Sequence, residues 1–301
     1  MKKQVRFSLE KGDLLPTLLM LPALFMIVFV MIVPLIYGLS LSFFEVGFGE
    51  TNFKENFVGA SNYLRFFQDA TAKRAVFNTL LFSLGATAGD LFFGTLGAAL
   101  LLKVSERLGK VLRPIVTVPL LVSPIIVGLI WRYIYDVKGI LYWFLGLFGL
   151  GIGDFPGVTG ASTALLCTII AHWWQVVPFV IIVMTAGLLS IPEEYYEAAY
   201  VDGAGEFRSF VEISFPLLRD VYMVVLLISG VDTLKVFDII YSLTGGGPNN
   251  STVSMSIYAY SQAFEQSNLS YAMALSFIAM VVTFLVFGIP FIRHNLKKYK
   301  E

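Results

Sequence analysis

Asp90, His172, Asp232, Lys235 and Asp238 are residues whose chemistry is out of keeping with their surroundings. Each lies in a long apolar run, and a charge at the centre of such a run costs about 2.5–3.5 kcal/mol if the run crosses a bilayer. Ionisable groups kept at that cost are candidates for a solute pathway or binding site. Asp232, Lys235 and Asp238 recur every third residue, so on a helix the lysine can pair with either carboxylate. The trio is then either a self-neutralising structural cluster or the wall of a water-filled vestibule. His172 reads as a packed or interfacial histidine, and Trp173 and Trp174 beside it as interface anchors or packing. Asp90 calls for a partner in another helix or subunit. Covalent and metal chemistry find no support. The single cysteine, Cys167, sits in an apolar run as a buried neutral thiol and excludes an internal disulfide framework. No nucleophile–base or metal-ligand constellation is present, so an intramembrane enzyme is disfavoured.

The elements that must hold these groups are lipid-facing. Of 301 residues, 57% are hydrophobic and 14% charged, against about 25% charged in a typical soluble domain. Mean hydropathy is +0.77. The formal net charge is zero, so nothing points to nucleic acid. A bilayer-crossing helix needs about 20 mostly apolar residues, and its backbone must bond within the segment. Six segments qualify: 14–44, 75–102, 114–135, 161–189, 221–243 and 266–292. The expectation is an all-α integral membrane protein, a single transmembrane domain of six helices over 1–301. The stretch Gly139 to Gly153 is too short to span and reads as interfacial or re-entrant. Gly85, Gly89, Gly94 and Gly97 permit close helix approach, as in a bundle or a subunit contact. The first apolar run is far longer than a signal-peptide core, so it reads as a retained span.

Lys and Arg in short loops set the orientation. Lys2, Lys3, Arg6 and Lys11 precede the first span, Lys103, Arg107, Lys110 and Arg113 follow the second, and Arg293, Lys297, Lys298 and Lys300 follow the last. All three clusters fall on one side of a six-span chain, which places both termini in the cytoplasm. Thr244 to Ser270, on the other side, carries no Lys or Arg. The loop Glu45 to Arg74 carries Lys54, Arg65, Lys73 and Arg74, and its outer placement rests on parity.

The longest inner loop, 190–220, has legible local physics. Ser190 and Glu193 have capping-box spacing, and Pro192 with two acids suits a helix start. Asp202-Gly203-Ala204-Gly205 breaks that helix after Tyr200. A second helix from Glu206 is expected to put Phe207, Phe210, Val211 and Ser214 on one stripe and to end at Pro216. A merely solvated loop has no reason to display Tyr195, Tyr196, Tyr200, Phe207, Phe210 and Phe215, and such clusters mark partner surfaces.

Glu197-Ala198-Ala199, Asp202-Gly203-Ala204-Gly205, Ile213 and Phe215-Pro216 together resemble the EAA loop of binding-protein-dependent importer permeases. Phe215 stands where that family usually has a smaller aliphatic residue. Leu243-Thr244-Gly245-Gly246-Gly247-Pro248 with Ser251-Thr252 resembles the outer loop of carbohydrate permeases of the maltose and glycerol-phosphate type. The resemblance implies a coupling helix that enters a cleft of an ATPase subunit, with Glu197 meeting a basic group there. Ala198, Ala199, Asp202, Gly203 and Gly205 would complete that contact. It also implies a sugar pocket lined by Gln175, Val176 and Phe179 before the loop and by Ser229, Asp232, Thr233 and Val236 after it. Asp232 without an unpaired Arg favours a neutral sugar.

The implied partners are a second homologous permease, two ATP-binding subunits, an extracytoplasmic sugar-binding protein and the lipid of the cell inner (plasma) membrane. Gly245-Gly246-Gly247 lacks the lysine of a phosphate-binding loop, and no Gly-Lys-Ser/Thr ending occurs. ATP-Mg therefore belongs to another polypeptide, and no cofactor is expected in this chain. The competing class is an ion-coupled secondary transporter, which usually carries internal repeats; no convincing repeat is visible here.

Overall fold

The computed structural model describes residues 14–47, 49, 56–151 and 155–298. Among them there is no strand, only an isolated bridge between Phe44 and Phe57. Lys2, Lys3, Arg6, Lys11, Lys54 and Lys300 of the orientation argument lie outside the described residues. Among the described residues, four helices are long and apolar enough to cross a bilayer: α1 (Leu18–Leu41), α2 (Ala70–Lys103), α5 (Ala164–Leu189) and α10 (Leu269–Arg293). A fifth crossing arises if α3 (Glu106–Leu121) and α4 (Pro124–Ile134), which meet at 101°, count as one.

The centre of the fold is α2 against α5, and the glycines explain why they sit so close. A Cβ on Gly89 would enter the Trp173 ring, and one on Gly94 or Gly97 would overlap Val180 or Ile181. Trp173 fills its notch and donates Nε1–H to the Ala86 carbonyl at 3.0 Å. The glycine stripe thus serves a contact inside the chain, and Trp173 is packing. Around this pair, α1 exposes nearly its whole apolar surface, with Gly38 and Leu41 its buried residues.

Two expected spans are broken. Segment 114–135 is not one helix: Ser123 is extended because Pro124 follows it, and the chain turns sharply there. Segment 221–243 divides into α8 (Arg219–Leu234) and α9 (Asp238–Leu243), with Lys235 to Phe237 between them. Irregular backbone at this depth survives where it lines a cavity or is satisfied by protein. Both breaks meet that condition: Gln175 Nε2 donates to the Val122 carbonyl at 2.8 Å, and Ser254 Oγ to the Val236 carbonyl at 2.9 Å. The stretch after α4 holds a short helix, Ile140–Gly146, too short to span.

One end of the bundle is tied by Asp69. Its Oδ1 caps α2 by accepting from the Thr71 and Ala72 amides, while Oδ2 accepts the Tyr258 and Tyr271 hydroxyls at 2.6 and 2.8 Å. Arg65 lies over the Tyr271 ring. The loop after α9 is bound to α2 through Asn78, whose Nδ2 donates to the carbonyls of Asn250 and Val253.

Candidate functional site

The two breaks and the middle of α5 enclose a polar cavity of about 280 Å³. Pro124 lines it from the first break. His172, Gln175 and Val176 line it from α5, and Asp232 and Lys235 to Ile239 from the second. Asp232 and Lys235 pair at 3.2 Å with both side chains about two-thirds exposed, so the charges stay solvated. Asp238 begins α9 on the far side of the break, where a carboxylate complements the helix dipole. A larger, apolar cavity of about 540 Å³ lies between α8 and α10, with Lys235 at its edge.

Of the pocket expected from sequence, Gln175, Val176, Asp232 and Val236 meet at this cavity. Phe179 does not line it; one turn further along α5 it packs in a cluster with Val180, Met184 and Leu218. Thr233 is buried on the side of α8 facing α2, where its hydroxyl bonds Ser83 Oγ at 2.7 Å and the Gly230 carbonyl. Ser229 is buried, with its hydroxyl beside the Asp90 carboxyl.

Asp90 finds its partner inside the chain. Its Oδ2 lies 3.1 Å from His172 Nε2, and the side chains are 0% and 7% exposed. Phe82 holds the imidazole edge-on. His172 is thus packed but polar and cavity-lining, which local sequence did not reveal. The available signal was charge balance: each of these residues is an isolated ionisable group in its own apolar helix.

The 190–220 segment is a helical hairpin. Its first arm is α6 (Glu193–Val201), and its second, α7 (206–217), contains a π turn at Phe210–Ser214. The capping box does not form: Ser190 Oγ turns back to the Gly187 carbonyl, and Pro192 takes the N-cap position. Pro216 does not end the second arm; it sits in the first turn of Phe215–Leu217, where its missing N–H is tolerated, and the break falls at Leu218. The extra residue of the π turn also divides the expected stripe, leaving Phe207 82% exposed and Ser214 buried.

At the bend, Gly203 has φ +78°, and the Ala204 amide donates to the Ala199 carbonyl. A Cβ at Gly203 would meet nothing in this chain, so the backbone angle sets the need for glycine. Tyr196 and Ser214 join the arms at 2.8 Å, and Lys103 at the end of α2 pairs with Glu206. Glu197, Ala198, Asp202 and Gly205 are exposed and Ala199 half-buried, beside a tip formed by Tyr200 and Val201.

The described residues contain no cluster of His, Cys, Asp and Glu able to hold a metal. The arrangement can instead hold a hydroxylated solute between amide, imidazole and carboxylate groups, and can dock a partner on the hairpin.

Known proteins resemble this chain over most of its length. The trehalose/maltose transport system permease MalF of Thermococcus litoralis is 35% identical over 79% of each chain. The sulfoquinovosyl glycerol transport system permease SmoG of Agrobacterium fabrum is 32% identical over 92% of this chain and 90% of its own. A chain from a bacterial ABC transporter that imports the acidic polysaccharide alginate superposes with a TM-score of 0.81 at 24% identity. The match covers 96% of this chain and 97% of that one. The profile of the binding-protein-dependent transport system inner membrane components matches residues 90–294, from the carboxylate that holds His172, through the hairpin, to the end of α10, and the chain belongs to that family.

Proposed function

We propose that this chain is the permease subunit of an ATP-driven sugar importer, forming half of a pathway with a second homologous permease. It crosses the inner membrane six times with both termini in the cytoplasm, α3–α4 serving as the third crossing and α8–α9 as the fifth. The cavity at Gln175 and Asp232 belongs to the solute path. An extracytoplasmic binding protein delivers the sugar, and two ATP-binding subunits supply the energy. The relatives named for trehalose, maltose and sulfoquinovosyl glycerol support a saccharide.

The observation that carries this reading is the hairpin. It displays Tyr200, Val201 and Phe207 at more than 80% exposure on a bend that needs glycine, and a solvated linker gains nothing from that. Glu197→Lys would turn attraction to a basic cleft into repulsion. Gly203→Val would strain a positive φ by about 1–3 kcal/mol at the contact. Each variant should insert normally yet lose at least about tenfold in uptake, with the ATPase released more readily in detergent. Full ATPase retention and uptake in both would remove the hairpin from coupling.

A further inference from the structure

Four aromatic side chains form a continuous row that leaves the polar cavity toward the end of the bundle tied by Asp69. Phe237 lines the cavity at the second break. Tyr241, one turn along α9, stacks on it with ring centroids 5.0 Å apart and planes 15° apart. Tyr260 lies against both rings at 5.2 and 5.6 Å, and Phe264 follows at 5.0 Å from Tyr260. The row is assembled from two segments distant in sequence, α9 and the short helix Met255–Tyr260 with its π turn Ser261–Glu265. The short helix is held from behind. Ser254 caps it by accepting from the Ile257 amide and ties it to the break through the Val236 carbonyl. Tyr258, turned away from Tyr260 by the helical repeat, is fixed by Asp69. Tyr241 and Phe264 are nevertheless 45% and 58% exposed. Aromatic residues that anchor a protein at the bilayer surface sit at headgroup level, commonly with Lys and Arg beside them. This row instead starts at a polar cavity, its rim holds exposed Asp238 and Glu265, and Thr244 to Ser270 carries no Lys or Arg. Such a rim repels anionic headgroups and offers acceptors to hydroxyls.

We propose that Phe237, Tyr241, Tyr260 and Phe264 form a reception platform, outside the cavity, on which a saccharide ring stacks before it enters. An aromatic face is electron-rich, and the apolar face of a pyranose presents C–H bonds with partial positive charge, so the two attract as well as exclude water. Asp238 and Glu265 at the rim accept from hydroxyls at the sugar's edge. The inference rests on the reading that this chain conducts a saccharide, and it adds a binding surface which that reading does not contain.

The test uses the complete complex of both permeases, the ATPase and the binding protein in proteoliposomes given trehalose or maltose. Tyr241→Leu and Phe264→Leu keep apolar bulk and remove the ring, at positions exposed enough to accept the change. Each should lower sugar delivered per ATP hydrolysed about threefold, and the double variant about tenfold, with thermal stability unchanged. Tyr241→Phe and Phe264→Tyr should recover most of that ratio. Rings that serve only as membrane anchors would leave the ratio unaltered in the leucine variants. Rings that dock the binding protein or the second permease would lower ATP hydrolysis and uptake together at a constant ratio. Either result would overturn the proposal. If the unaltered complex carries neither sugar, the saccharide reading itself fails and the platform falls with it. A platform that fails alone leaves transport by the unaltered complex intact and the ratio insensitive to the rings.

Discussion

Asp232 has two possible employments, partner to Lys235 and ligand to the solute, and its exposure allows both. Asp232→Ala should lower sugar uptake about tenfold or more, the effect of losing a charged hydrogen-bond acceptor, with assembly intact. Lys235→Ala is the control, since it breaks the same ion pair; equal losses in both variants, or none, would make the pair structural. Asp69 carries a separate prediction. Burial pushes its carboxyl up, but hydrogen bonds from Tyr258, the Ala72 amide, Tyr271 and the Thr71 amide outweigh that and hold it below the ordinary carboxylate value. A depressed carboxyl stabilises the fold at neutral pH and ceases to do so as pH falls through its lowered value. Melting temperature in detergent should therefore fall between about pH 5 and pH 3, and Asp69→Asn should flatten part of that fall. An identical acid profile in the variant would remove Asp69 from the clasp's energetics. Spacing revealed Asp232 and Lys235 as a pair. It could not reveal Asp69, whose Tyr partners lie 189 and 202 residues away.

Among the elements, the glycines of α2 were legible as a close-packing face, and the structure supplies their partner, α5. Gly94→Leu would force its side chain into Val180 and should destabilise the bundle by about 1–3 kcal/mol, seen as a lower melting temperature of the purified chain. An unchanged melting point would mean that α2 and α5 pack less closely than described. The hairpin was legible too, because Asp202 to Gly205 is turn chemistry and Gly203 takes the positive φ that such a turn needs. Its fine structure was not: a π turn leaves no local signature, and it moved Phe207 and Ser214 to different surroundings. The two broken spans differ in the same way. Pro124 announces the first break. The second contains neither Pro nor Gly and depends on Ser254, distant in sequence, to satisfy the Val236 carbonyl.

At the scale of the molecule, composition fixed the solvent of this chain, and hydropathy found its longest helices. Hydropathy alone could not show that two expected spans are broken into pieces, since it sums residues without regard to direction. The pieces meet where the polar cavity lies, and the hairpin stands on the same α5–α8 framework, joined to α2 by Lys103 and Glu206. The proposed function needs both features, solute-facing groups at that cavity and a docking surface for a separate subunit that hydrolyses ATP. The most direct test reconstitutes it with its permease partner, ATPase and binding protein in proteoliposomes whose proton gradient is collapsed by an uncoupler. Saccharide accumulation should continue while ATP is supplied on the ATPase side and stop when ATP is withdrawn. Accumulation that vanishes with the proton gradient and continues without ATP would contradict the account.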